Sequence, residues 1–137
     1  AKSKQKIEKL QERALRLLHN DYDSSYSDLL IISRKPTMEI KRLRTLALEI
    51  FKTLNDLNPS YMKTLFQKTG LSSHRPNNLI VHYHNTTKYG DKSLKILGPR
   101  IWNGLPEVLK SETNLKTFRK LINEWCGPRC KCSLCVN

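Results

Sequence analysis

Between Met38 and Leu54 the apolar residues return every three or four positions: Ile40, Leu43, Ala47, Ile50 and Leu54, with Leu46 and Phe51 widening the stripe. A period near 3.6 gathers these side chains on one side of an α-helix, and a stripe that wide belongs against other elements. The segment predicts a core-facing helix, with Thr37 as its N-cap. A chain organised around it is mainly α.

The rest of the chain reads from that anchor. Lys6 to Asn20 predicts a first helix, with Ile7, Leu10, Ala14, Leu17 and Leu18 on one face. The run from Asp21 to Ser25 is a break and cap leading into a short helix from Tyr26 to Ile32. Asn58-Pro59 is a cap followed by proline at a first helical position, opening a fourth helix through Tyr61, Met62, Leu65 and Phe66. After Gly70 the composition changes, and residues 71–78 read as an exposed polar loop. Leu79–Tyr83 and Leu94–Leu97 are short β-capable runs that could pair as a hairpin, with Gly98-Pro99 ending the second and Ile101–Pro106 forming a compact turn. A last helix is expected from Leu115 to Trp125, capped by Asn114, with Leu115, Phe118, Leu121, Ile122 and Trp125 on one face. The expected architecture is a basic helical cluster over 1–69, then loop, short strands and a C-terminal helix over 70–125 packed on it, then a cysteine-rich tail over 126–137.

Charge is the strongest bulk signal. The formal net charge is +13, and residues 1–69 and 70–137 contribute +6 and +7, so no single tail accounts for the excess. A field of this sign attracts polyanions, of which nucleic acid is the usual one, by phosphate neutralisation and counterion release. Lys6, Lys9, Arg13 and Arg16 form a stripe along the first helix, partly offset by Glu12 at i,i+4 from Arg16. Lys41, Arg42 and Arg44 crowd the first turns of the third helix, where cations oppose the helix dipole. Lys88, Lys92 and Arg100 lie near Tyr83, Tyr89 and Trp102, a mixture of cations and aromatic faces that suits single strands. Each set is a candidate nucleic-acid contact; a solvated helix face and a core role for the tryptophan are the plainer alternatives.

All four cysteines, Cys126, Cys130, Cys132 and Cys135, fall in the last twelve residues. A disulfide-stapled secreted domain spreads its cysteines to close loops, so clustering points to an intracellular chain with a metal site or reduced thiols. Four thiolates can hold a tetrahedral structural zinc, with Arg129 and Lys131 offsetting the charge. The C-x3-C-x-C-x2-C spacing is not that of a standard finger, and His19, His74, His82 or His84 could replace Cys126. His82 and His84 would share a face of a strand, where a metal or phosphate role competes with ordinary strand alternation. Free thiols remain the alternative for the tail.

No catalytic constellation is legible. The sequence has no phosphate-binding G-x-x-x-x-G-K loop, no G-x-G-x-x-G, no H-E-x-x-H and no G-x-S-x-G elbow. Asp21 and Asp23 are the nearest pair of carboxylates, and capping at a helix break accounts for them. The longest uninterrupted apolar run is Leu29 to Ile32, far short of a membrane span. The opening Ala1-Lys2-Ser3-Lys4 is not a secretory signal, and the missing initiator Met suggests a fragment.

Four ordered segments carry a family resemblance. They are KIEKLQERALRLL (6–18), RLRTLALEIFKTLNDLNPSYM (42–62), YGDKSLKILGPRIWNGLP (89–106) and LKTFRKLINEW (115–125), followed by CKCSLC. In this order they resemble the C-terminal region downstream of the reverse transcriptase in animal non-LTR (LINE-type) retrotransposons. The resemblance covers nearly the whole chain, and its strength lies in the ordered co-occurrence. It implies a parent that is an RNA-directed DNA polymerase, with the polymerase carboxylates and the endonuclease upstream of this region. It further implies a non-catalytic role, in nucleus or cytoplasm, holding element RNA or target DNA during target-primed reverse transcription. Cys130, Cys132 and Cys135 match the usual terminal cluster, whereas Cys126 falls in a W-x-G-P turn where cysteine is not typical. The rival expectation is a protein-interaction module. In it, the apolar stripes of 7–18 and 40–54 pack on the polymerase thumb or on a second copy.

Overall fold

The computed structural model describes residues 2–70, 75, 77–83 and 93–128. Six α-helices occur among them: α1 (Lys2–His19), α2 (Tyr26–Ile32), α3 (Met38–Leu54), α4 (Leu94–Asn103), α5 (Glu107–Lys110) and α6 (Leu115–Glu124). The chain divides into two compact units, 1–42 and 43–137, with α3 beginning in the first and continuing through the second.

The first unit is organised by its helix ends. Asn20 takes a φ of 49° and the Asp21 N–H donates back to Arg16 O at 3.1 Å, which closes α1. Arg34 does the same for α2 with a φ of 51°, and Lys35 N–H reaches Leu30 O at 3.0 Å. These are left-handed caps that satisfy otherwise orphaned carbonyls, built without glycine. Asp21 Oδ1 accepts from the Asp23 and Ser24 N–H groups, and Ser25 Oγ accepts from Asp28 N–H at the start of α2, as expected for a break and cap. Thr37 Oγ1 accepts from Ile40 N–H at 3.3 Å and caps α3. Leu15 and Leu29 are the buried aliphatics of this unit.

The second unit holds the main core. Ala47, Ile50 and Phe51 of α3, Ile101 and Trp102 of α4, and Phe118 and Ile122 of α6 meet there, joined by Phe66, Leu79, Leu105, Leu109 and Trp125. The expected inner face of the third helix is therefore its buried face. Phe118 lies between two rings, with centroids 4.1 Å from Phe51 and 6.2 Å from Trp102. A fully buried phenylalanine stabilises a fold by roughly 1.5–3 kcal/mol, and this trio binds α3, α4 and α6 together. Asn114 caps α6 by accepting from Lys116 and Thr117 N–H, as the sequence predicts.

Two expectations are corrected. Leu94–Leu97 is the first turn of α4 and not a strand, and the helix continues through Gly98 and Pro99 to Asn103. A four-residue apolar run has no period of its own, so packing decides it. Here a helix lets Ile96, Ile101 and Trp102 face the core, and Gly98 comes so close to Phe66 that a Cβ would lie 2.6 Å from its ring. The hairpin partner of residues 79–83 is accordingly replaced. Leu79 forms an isolated antiparallel bridge with Lys68, and its own N–H and C=O are both bonded by the Asn103 side-chain amide at 2.7 and 2.8 Å. The connection expected between the two runs, 85–91, lies outside the described residues.

The second correction concerns the fourth helix, which is a 3-10 helix, Ser60–Leu65, with Phe66 already extended. Asn58 does not cap it. Its amide instead donates to Glu49 O and Thr53 Oγ1, tying the end of α3 to the next segment.

Candidate nucleic-acid interface

On α1, Lys6, Lys9 and Arg13 are exposed and share one side, as their i, i+3, i+7 spacing requires. Arg16 is spent inside the unit: it holds Glu12 Oε1 at 2.9 Å and donates to Tyr22 O at 2.7 Å. On α3, Lys41 and Arg42 are exposed, whereas Arg44 is half-buried and donates through Nε to Trp125 O at 2.8 Å. That bond satisfies a carbonyl just past the end of α6, so Arg44 is a structural tie rather than an open cation. Arg100 is exposed on α4. Lys88 and Lys92 lie outside the described residues, as do Cys130, Cys132 and Cys135. Cys126 is exposed, and its thiol donates to Glu124 O at 3.3 Å. Among the described residues no group of three or more His, Cys, Asp or Glu is arranged so that it could hold a metal ion.

The side of α1 that faces its own unit carries the buried Leu15 with a polar network beside it. Glu8 Oε2 accepts from the Tyr26 hydroxyl at 2.5 Å and from Met38 N–H at 3.3 Å, and Oε1 accepts from Glu39 N–H at 3.1 Å. A carboxylate from one helix thus caps the N-terminus of another, where the helix dipole favours negative charge. Burial and the Glu8 carboxylate together push the Tyr26 hydroxyl well above the usual tyrosine range. Gln11 donates to Pro36 O at 3.0 Å. A groove of about 590 Å³ runs here, lined by Lys4, Gln5, Glu8, Lys9, Glu12, Tyr26 and Glu39. Its three carboxylates are engaged: Glu8 as above, Glu12 by Arg16, and Glu39 by Lys4 at 2.6 Å, which holds Glu39 below the usual carboxylate range.

The apolar stripe of α1 faces outward. Ile7, Leu10, Leu17 and Leu18 are 47, 63, 71 and 73% exposed, and Ile31 and Ile32 of α2 are exposed as well. The first helix therefore presents a mixed surface, apolar along its middle and basic along one edge.

A second cationic face was missed in the sequence. Lys116, Arg119 and Lys120 of α6 are all exposed, opposite the buried Phe118, Ile122 and Trp125. The signal was available, because i, i+3, i+4 spacing on a helix whose other face is apolar gathers cations as surely as it gathers leucines. In the second unit the described candidates are otherwise scattered: Arg44 is tied to Trp125, and Lys110 is buried against Glu107 and Asn78.

No helix among the described residues is long and apolar enough to cross a membrane. Comparison of the chain with protein-family models, with curated proteins and with solved structures found no match.

Proposed function

We propose that the chain is a non-catalytic, nucleic-acid-binding C-terminal extension of a retrotransposon reverse transcriptase. In this role it positions RNA or target DNA for target-primed reverse transcription in the parent protein. The nucleic-acid part of the reading is supported by a formal charge of +13 together with an exposed row of Lys6, Lys9 and Arg13 that no described carboxylate neutralises, and the parentage by the resemblance of the four ordered segments. Cations held on a rigid helix release counterions when they meet phosphates, which gives affinity without sequence readout. The reading includes a structural zinc with Cys126, Cys130, Cys132 and Cys135 as its ligands. Metal analysis of the purified chain is expected to return one zinc per chain, and a metal-free protein with titratable thiols refutes that part.

The main test is fluorescence anisotropy with labelled single-stranded RNA and DNA across a salt series. Binding that weakens steeply with salt is expected, and Lys6→Gln/Lys9→Gln/Arg13→Gln lowers the slope. Weak binding that does not respond to salt sinks the reading.

A second reading is supported by the exposed Ile7, Leu10, Leu17 and Leu18. Contiguous apolar surface of this kind marks interaction sites, so α1 would pack on the polymerase thumb or on a second copy. Light scattering across a concentration series tests the self-association branch. A monomer that binds no hydrophobic dye counts against docking altogether.

A further inference from the structure

We infer that the outward face of α6, formed by Lys116, Arg119 and Lys120, is a contact surface for the phosphodiester backbone of nucleic acid. The inference rests on the nucleic-acid reading above and assigns part of that binding to the second unit.

The first support is that five other described cations are spent on carboxylates, whereas these three, like Lys6, Lys9 and Arg13 of α1, are not. Among the described residues, Lys4 pairs with Glu39, Arg16 with Glu12, Lys52 with Glu49, Lys63 with Asp56 and Lys110 with Glu107. Lys116, Arg119 and Lys120 pair with no described carboxylate. Successive residues turn by about 100° on a helix, so these three and Asn123 fall within one third of its circumference. Their charges accumulate on one face, whereas the paired lysines are locally neutral.

The second support is rigidity. The opposite face of α6 is fixed by Phe118, Ile122 and Trp125, each at most 2% exposed, and by Asn114 at its start. Lys116 and Lys120 stand one turn apart, about 6 Å along the axis, on a backbone that does not have to be ordered on binding.

The third is a local cost. The first turn of α6 contains no acidic residue and does contain Lys116, where the helix dipole disfavours a cation. An arrangement that opposes the helix dipole while leaving three cations unpaired is accounted for by an anionic ligand.

The face also differs in kind from that of α1. Lys6, Lys9 and Arg13 border an apolar stripe, which a protein surface could cover. The outward arc of α6 carries Lys116, Arg119, Lys120 and Asn123 and no apolar side chain, which suits phosphate oxygens that accept hydrogen bonds and need no hydrophobic partner.

The experiment uses the full chain and fluorescein-labelled mixed-sequence single-stranded RNA, with single-stranded and duplex DNA of the same length. Lys116→Gln/Arg119→Gln/Lys120→Gln is expected to reduce the slope of log K against log salt by about 2 and to weaken binding roughly a hundredfold at about 50 mM salt. Lys116→Arg/Lys120→Arg is expected to keep both, and circular dichroism should show all variants folded. If the parent chain shows no salt-dependent binding, the functional reading and this inference fall together. If the parent binds and the α6 triple variant binds equally well while the α1 triple variant does not, the inference alone is overturned. Competition by polyglutamate as effective as competition by RNA also overturns it, because the face would then serve acidic proteins.

Discussion

Replacing Glu8 tests how the first unit is held together. Its carboxylate accepts from the Tyr26 hydroxyl and from the N–H groups of Met38 and Glu39, so one side chain joins α1, α2 and the start of α3. Glu8→Gln preserves shape but removes the charge and turns one acceptor oxygen into a donor. With Oε1 retained, the bond from Glu39 survives as a neutral one, the bond from Met38 N–H is lost, and the Tyr26 hydroxyl can reverse to accept from the new amide N–H. A hydrogen bond to a charged group is worth about 1.5–3 kcal/mol when well formed, and the helix-dipole contribution adds roughly 0.3–1 kcal/mol. Because Glu8 is half-buried, the lower ends apply, and the lost Met38 bond with the dipole contribution gives about 2 kcal/mol for Gln. Far-UV circular dichroism is the assay, since both tryptophans, Trp102 and Trp125, lie in the second unit and report poorly on this one. The expected drop in melting temperature is roughly 5–10 °C. A second readout is alkaline titration of tyrosine absorbance. Of the five tyrosines, Tyr26 should ionise late in the parent chain and earlier in Glu8→Gln, with the part of its shift due to burial retained. Because its folded pKa is raised above the unfolded value of 10.0, its contribution to stability is complete below that pH and is lost as pH rises beyond it. An unchanged melt together with an unchanged titration refutes the capping role.

Further outcomes concern the core, the helix ends and acid. Gly98→Ala should destabilise the chain by about 1–2 kcal/mol in chemical denaturation. The added Cβ meets Phe66 at 2.6 Å, and overpacking outweighs the roughly 1 kcal/mol gained in helix propensity. Arg34→Gly should stabilise by about 1 kcal/mol, because only the non-glycine residue bears the cost of a φ of 51°; a destabilised variant would show that the arginine side chain matters more than its backbone. Acid should weaken the fold. Lys110 holds Glu107, Lys52 holds Glu49 and Lys4 holds Glu39 below the ordinary 4.5, each first through a side-chain hydrogen bond. Groups depressed in this way stabilise above the unfolded pKa and lose that contribution as pH falls through the folded one. Thermal melts should therefore be flat near neutrality and fall below about pH 4.5, and Lys110→Met should lessen the fall.

Much of the fold was legible because helices announce themselves locally. The 3.6-residue period of Ile40–Leu54, the Thr37 and Asn114 caps and the apolar face of 115–125 depend on neighbours a turn away, and each appears where the residues place it. The run 94–97 was not legible. Four apolar residues ahead of Gly-Pro satisfy a strand ending as well as a helix beginning, and contact with Phe66 and the core selects the helix.

The same division applies to the candidate sites. That the chain is strongly basic, and that cations recur at helical spacing, is determined by sequence alone, since charge and period are local properties. Which cations remain open is in part a tertiary matter. Arg16 carries a local sign, Glu12 one turn before it, and donates also to Tyr22 O six residues on, whereas Arg44 looks like its neighbours in the sequence and is consumed by Trp125 O, 81 residues away. Glu8 carried no signal of its own, because the helix it caps begins thirty residues later. Sequence sets the elements and their faces through short-range periodicity and capping. Tertiary structure decides which further groups on those faces are spent on the fold, because contacts across long separations, as between Arg44 and Trp125 or Lys4 and Glu39, supply partners that no short-range pattern names.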